Sequence, residues 1–117
     1  MAFEKFTARG RSYAPKVSIW KRGQIGLSQG AVERFSLRDF KFVVMFYDKE
    51  NKRIGLKFTN DEQEEGIAKM NVKTNGAIFT AKAFLDYYNI EYKETEQYDI
   101  KLDEENNLYV FDLRKGE

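Results

Sequence analysis

The first 22 residues hold six Lys/Arg against one acidic residue, and the cations Arg9, Arg11, Lys16, Lys21 and Arg22 are interleaved with Phe6, Tyr13 and Trp20. Ammonium and guanidinium groups neutralise phosphates and aromatic faces stack on bases, so this alternation suits a polyanion with bases, a nucleic-acid strand. The same residues have a plainer reading: Trp20, beside alternating apolar residues, packs, and a basic chain end is a solvated tail. The carboxylates gather in "NDEQEEG" at 60–66 and "DEEN" at 103–106, without the glycine and terminal glutamate spacing of a calcium loop, so turns or solvated linkers are expected there.

The chain has no cysteine and no histidine, which removes the usual zinc ligands and the commonest general base. Only carboxylates, Lys and Tyr remain for proton chemistry. Tyr87, Tyr88, Tyr92 and Tyr98 lie near Asp86 and Glu91, but helix packing accounts for the first two, and no base or metal gives the group a reaction. "GRS" and "KRG" are too short to cradle phosphate, and neither GxGxxG nor GxxxxGK[ST] occurs. No enzyme, cofactor or metal site is expected. No apolar run makes a signal peptide or a membrane span, so a cytoplasmic protein without membrane contact is expected.

The net charge of +1 conceals a division. Residues 1–58 carry thirteen basic against five acidic residues, and 59–117 carry seven against fourteen. Either the two halves attract each other, or the basic one meets a polyanion and the acidic one a basic protein.

At 117 residues, 42% of them hydrophobic, the chain suits a single domain, 1–117, with a flexible basic N-terminal arm over 1–14 and order from Pro15 to Leu113. "KVSIW" and "GQIGL" read as strands joined at Arg22 and Gly23; Ser28 caps a short helix, "QGAVERFSL", ending near Leu37. "FKFVVMFYD" and "RIGLKF" form a second hairpin across "KENK", where Asn51 suits a left-handed conformation. The unit is β-β-α-β-β.

The order recurs. Shifted by 53, Gly23, Ile25, Val32, Phe35 and Leu37 fall on Gly76, Ile78, Leu85, Tyr88 and Ile90, with Thr80 where a cap is wanted before "AKAFLDYYNI". Shifted by 55, "DKEN" falls on "DEEN", and Ile54, Leu56 and Phe58 on Tyr109, Phe111 and Leu113. One such unit is too small to bury its apolar face alone, so two repeats, about 16–58 and 66–113, should share a core. The expected fold is α+β and β-rich, a pseudo-symmetric small barrel or sheet pair with two short helices. Val17, Ile19, Ile25, Leu27, Val43 and Met45, then Ile78, Ile100, Leu102, Leu108 and Val110, are its expected inward residues.

"SIWKRGQIGLSQGAVERFSL" with "VVMFYD" and "RIGLKF" resembles the swapped-hairpin unit of the AbrB and MazE type, clearly over 17–58 and more faintly over 67–113. The resemblance implies two units interlocked in one barrel and a DNA-binding transcription regulator. By position it implies contacts at Lys21, Arg22 and Gln24 in the first hairpin and at Lys73 and Asn75 in the second. The chain departs from the pattern where the family has a helix-opening proline, here Ser28 and Thr80, and a helix arginine, here Val32 and Leu85. The order of elements is also similar to the Whirly type of single-strand binder, in which bases stack on aromatics along sheet edges. The expected function is therefore nucleic-acid binding, to duplex or single-stranded DNA, through Arg9, Arg11, Lys16, Trp20, Lys21, Arg22 and Gln24. The alternative is an interaction module, antitoxin-like or an assembly partner, using the acidic half. A homodimer is compatible with either.

Overall fold

The computed structural model describes residues 14–73 and 75–113. The chain runs β1 (Lys16–Ile19), β2 (Gln24–Ser28), α1 (Gln29–Arg34), a 3-10 turn (Leu37–Asp39), β3 (Phe42–Asp48), β4 (Arg53–Thr59), β5 (Ile67–Lys69), β6 (Asn71–Lys73), β7 (Gly76–Thr80), α2 (Lys82–Tyr87), β8 (Glu96–Asp99), β9 (Lys101–Asp103) and β10 (Leu108–Asp112). These strands make two five-stranded antiparallel sheets, ordered β6-β7-β2-β1-β8 and β5-β3-β4-β10-β9. Of the two expected forms the sheet pair is the observed one, since neither sheet closes into a barrel.

Two segments turn corners between the sheets. The segment 67–73 pairs with β3 in the second sheet as β5 and then with β7 in the first as β6, bending at Met70, whose N–H donates to Lys41 O at 2.9 Å. Likewise 96–103 passes from β1 to β10 at Ile100. Strands that switch sheets in this way let two sheets enclose one core. Met70 and Ile100 are themselves buried, so each corner is pinned by an apolar side chain.

The core lies between the sheets. Val17, Ile19, Ile25 and Leu27 of the first face Val43, Ile54, Leu56 and Phe111 of the second, and both helices send their apolar residues into the same cluster. Each fully buried side chain of this size contributes about 1.5–3 kcal/mol through removal of apolar area from water. In the first half the inward set agrees with the alternation. In the second Ile100 is buried as expected, but β7 and β10 are displaced by one position: Ala77, Phe79, Tyr109 and Phe111 point inward while Ile78, Leu108 and Val110 face out, and Leu102, paired with Tyr109, stands 43% exposed at an edge.

For β7 the cause is visible in the turns. Ile19 pairs with Ile25, and Trp20 N–H donates to Gln24 O, which leaves a three-residue turn with Gly23 at φ +85°. Lys73 pairs with Gly76, which leaves two residues. A one-residue change in a period-two element carries every side chain to the other face. The displacement is undone at Thr80, the last residue of β7; the N-cap falls to Ala81, which has no capping side chain, and the cap expected of Thr80 is absent.

Local departures are small. Ser28 caps α1 as expected, its Oγ accepting from Ala31 N–H at 3.2 Å. The helix ends at Arg34 rather than near Leu37, because Ser36 turns left-handed (φ 54°) and the chain tightens to a 3-10 turn. In the β3–β4 turn Lys52, not Asn51, is left-handed (φ 53°); Asn51 instead donates from its N–H and its amide to Asp48. Tyr88 packs on Tyr47 at 4.9 Å between ring centres, but Tyr87 is 77% exposed, so helix packing does not account for it.

Candidate nucleic-acid interface

Because Val17, Ile19, Ile25 and Leu27 point into the core, the alternate residues of β1 and β2 lie on the outer face of the first sheet. The register sets Lys16, Ser18 and Trp20 beside Ser28, Gly26 and Gln24, with Ile78 and Gly76 of β7, Asn71 and Lys73 of β6, and Gln97 and Asp99 of β8 completing the face. A groove of about 370 Å³ runs over it, lined by Lys16, Ser18, Trp20, Lys73, Asn75 and Gln97 among others. Its side chains are mostly amides, hydroxyls and lysines around one indole.

Trp20 is fixed from below. A Cβ added at Gly26 would stand 2.7 Å from Cζ2 of the indole, so the six-membered ring lies against bare backbone, and only glycine permits that approach. The indole is half-buried, one side on the sheet, and lines the groove. Ile78 flanks the same glycine across the β2–β7 pair, which makes the middle of the groove apolar and its margins polar.

The expected contacts divide into three groups. Lys16, Trp20, Lys73 and Asn75 share the groove, and Gln24 stands on the same face beside Trp20. Lys21 and Arg22 are exposed at the β1–β2 turn, while Lys73 and Asn75 stand at the β6–β7 turn. Since β2 and β7 are antiparallel, these turns lie at opposite ends of the face, and the Gln24–Ser28 strand between them spans about 13 Å. Arg9 and Arg11, with the arm assigned to 1–14 apart from Ala14, lie outside the described residues.

Lys16 is the exception to a free cationic surface. Its ammonium is paired with Asp99 across β1–β8 and holds that carboxyl below the usual range. The pair joins the basic half to the acidic one, as Lys57–Glu64 does at 2.8 Å, so part of the charge division is neutralised inside the fold. At the Lys21–Arg22 end, Lys82 lies against Gly23, where a Cβ would meet its Cβ at 2.9 Å. Its ammonium donates to Tyr92 Oη and Asp86, which raises its pKa, while Tyr92 and Lys82 lower that of Asp86.

Ser18, Gly26, Ser28, Ile78 and Gln97 belong to this surface and were not among the expected residues. A glycine inside a strand beside a tryptophan was the available signal for Gly26; Gln97 reaches the groove only through the β1–β8 pairing, which no local pattern encodes. The acidic run at 60–66 forms turns, with Asp61 accepting from Gln63 N–H at 2.9 Å, and no three Asp or Glu side chains converge into a metal site among the described residues. None of the described helices is long and apolar enough to cross a membrane. The chain matches no known protein family, no curated protein and no solved structure.

Proposed function

We propose that the chain is a nucleic-acid-binding protein that takes a single strand across the outer face of its first sheet. The observation that carries this reading is the indole of Trp20, fixed on Gly26 in a groove that also holds Lys16 and Lys73. A base stacks on the indole, lysines neutralise the flanking phosphates, and the amides of Gln24 and Asn75 address base edges. Lys21 and Arg22 extend the cationic track beyond one end of the groove, and Arg9 and Arg11 add to it in our reading.

We further propose that the fold is a duplicated unit of the AbrB and MazE type. The left-handed residues Ser36 and Asn89 are 53 apart and Lys52 and Asn107 are 55 apart, the two offsets found in the sequence. Asp48 accepts from the N–H and amide of Asn51, and Asp103 accepts from those of Asn106, again 55 apart. The strand pairings also exchange when the halves are interchanged: β1·β2 with β6·β7, β3·β4 with β9·β10, and β1·β8 with β5·β3. A cytoplasmic DNA-binding regulator is the role this relationship suggests. The helix positions where that family carries an arginine are Val32 and Leu85, both fully buried, which favours the sheet face over the helices as the contact surface.

Anisotropy titrations with single-stranded and duplex oligonucleotides at two salt concentrations test the reading. Single strands should bind more tightly, quench the lone tryptophan, and lose affinity with a log–log salt slope of about −2 to −3 for three or four phosphate contacts. Duplex preference without quenching would move the contact surface to the Lys21–Arg22 turn, and no binding at low salt would remove the function altogether.

A further inference from the structure

The outer face of the second sheet has a different chemistry from that of the first. The register places Phe42, Val44 and Phe46 of β3, Gly55 of β4, and Leu108 and Val110 of β10 on it. Phe46 is 43% exposed, because β5 pairs with β3 only as far as Val44 and leaves the strand open beyond it. Phe46 is one wall of a notch of about 270 Å³, with Gly55, Leu108, Val110 and the Asp48–Arg53 pair among its other lining residues. Gly55 is kept bare by Leu108, since a Cβ there would stand 2.9 Å from Cδ1.

We propose that a second copy of this chain docks on this face, each Phe46 entering the notch beside Leu108 and Val110 of the other copy. The knob and the hole lie on one patch, which is the requirement of a two-fold interface, where every contact is made twice. A phenyl ring fits, since a cavity of about 150 Å³ holds benzene. The charges suit the same occupant. Arg53, Lys57, Lys69 and Lys101 are matched in number by Asp48, Glu64, Asp103 and Asp112, so two copies meet without net repulsion, and the face offers a polyanion no net attraction. On the outer face of the first sheet Lys16 and Lys73 outnumber Asp99, and amides take the place of the aliphatic residues.

The size of the face sets the strength. The five strands hold three, seven, seven, five and three residues; at about 4.8 Å between strands and about 3.3 Å per residue the projected area is about 400 Å², half of the roughly 800 Å² per partner of a standard interface, so the dimer is weak and reversible. Face-to-face packing leaves both first sheets outward. The dimer then carries two grooves on opposite sides, which raises the avidity for a ligand long enough to engage both. The dimer does not depend on the nucleic-acid reading and is tested without nucleic acid.

Sedimentation velocity over a concentration series of the full chain is the test, with circular dichroism to check folding. The wild type should move from the 13.8 kDa monomer towards twice that mass, with a dissociation constant of roughly 10–500 µM. Phe46→Glu should weaken association by more than about tenfold, Phe46→Leu should retain it, and Tyr87→Glu, on α2, should leave it unchanged. Val110→Lys closes the notch from the opposite wall and serves as a second variant should Phe46→Glu misfold. A wild type that stays monomeric to about 1 mM, association indifferent to both face variants, or growth past the dimer would overturn the proposal.

Discussion

The indole of Trp20 rests on Gly26, its Cζ2 2.7 Å from where a Cβ at that position would stand. The second sheet repeats the arrangement, with Leu108 over Gly55 at 2.9 Å. In both sheets a middle strand gives up a side chain on its outer face so that a neighbour can lie flat. For Trp20 this spends conformational freedom before any ligand arrives, and a base that stacks on a ring already fixed has less ordering left to do.

Gly26→Ala follows directly. The added methyl forces the indole off the sheet, and overpacking of this kind costs about 1–3 kcal/mol. Urea unfolding should show the loss. Because Trp20 is the only tryptophan, its emission reports the displacement without interference, and a red shift is expected. Unchanged emission and stability would mean that the contact does not hold the ring.

The same pair shows how far the sequence could be read. Alternation in "KVSIW" and "QIGLS" assigned Val17, Ile19, Ile25 and Leu27 to the core, and the remaining side chains had to share the other face; Lys16, Trp20 and Gln24 were therefore legible together. The capping of α1 by Ser28 was local and equally legible. What failed depended on distant partners. The corners at Met70 and Ile100 exist because two sheets must enclose one core, and the inward set of β7 slipped because the β6–β7 turn is one residue shorter than the β1–β2 turn. Lys16 looked like a free cation until β8 brought Asp99 beside it, 83 residues away.

Trp20→Ala should weaken single-strand binding by about 1–3 kcal/mol, the range for losing one base–aromatic stack, while Trp20→Phe should recover part of it. The salt slope should stay the same in both, since no phosphate contact changes. A slope that falls with the affinity would place Trp20 at the phosphates rather than under a base.

Acid should destabilise the fold through its aspartates. Hydrogen bonds from the Asn51 amide, Arg53 and the Asn51 N–H hold Asp48 at a pKa of about 2, below its ordinary 3.8. A carboxyl depressed in the folded state stabilises it above the unfolded pKa, and that contribution is lost as pH falls through the folded value. Thermal stability should therefore decline from 3.8 down to about 2. Asp48→Asn should lower stability at neutral pH and make that decline shallower. Asp103, lowered chiefly by the Asn106 side chain, should behave alike, and the double variant should flatten the acid limb further. An acid limb identical to wild type in the double variant would locate the sensitivity elsewhere.

Asp99→Asn separates the structural and functional uses of Lys16. The pair is exposed on both sides, so its removal should cost no more than about 1 kcal/mol of stability. The same change frees an ammonium that lines the groove and removes the one carboxylate set against it. If the groove receives a polyanion, affinity should rise severalfold and the log–log salt slope should steepen by about 0.7, one further phosphate contact on a single strand. Lys16→Ala in the Asp99→Asn background should abolish both gains. A variant that loses stability and gains no affinity would show that Lys16 serves the β1–β8 pairing alone, and the cationic track would then reduce to Lys21, Arg22 and Lys73 among the described residues, too widely spaced along the sheet to hold phosphates on both sides of a base stacked on Trp20.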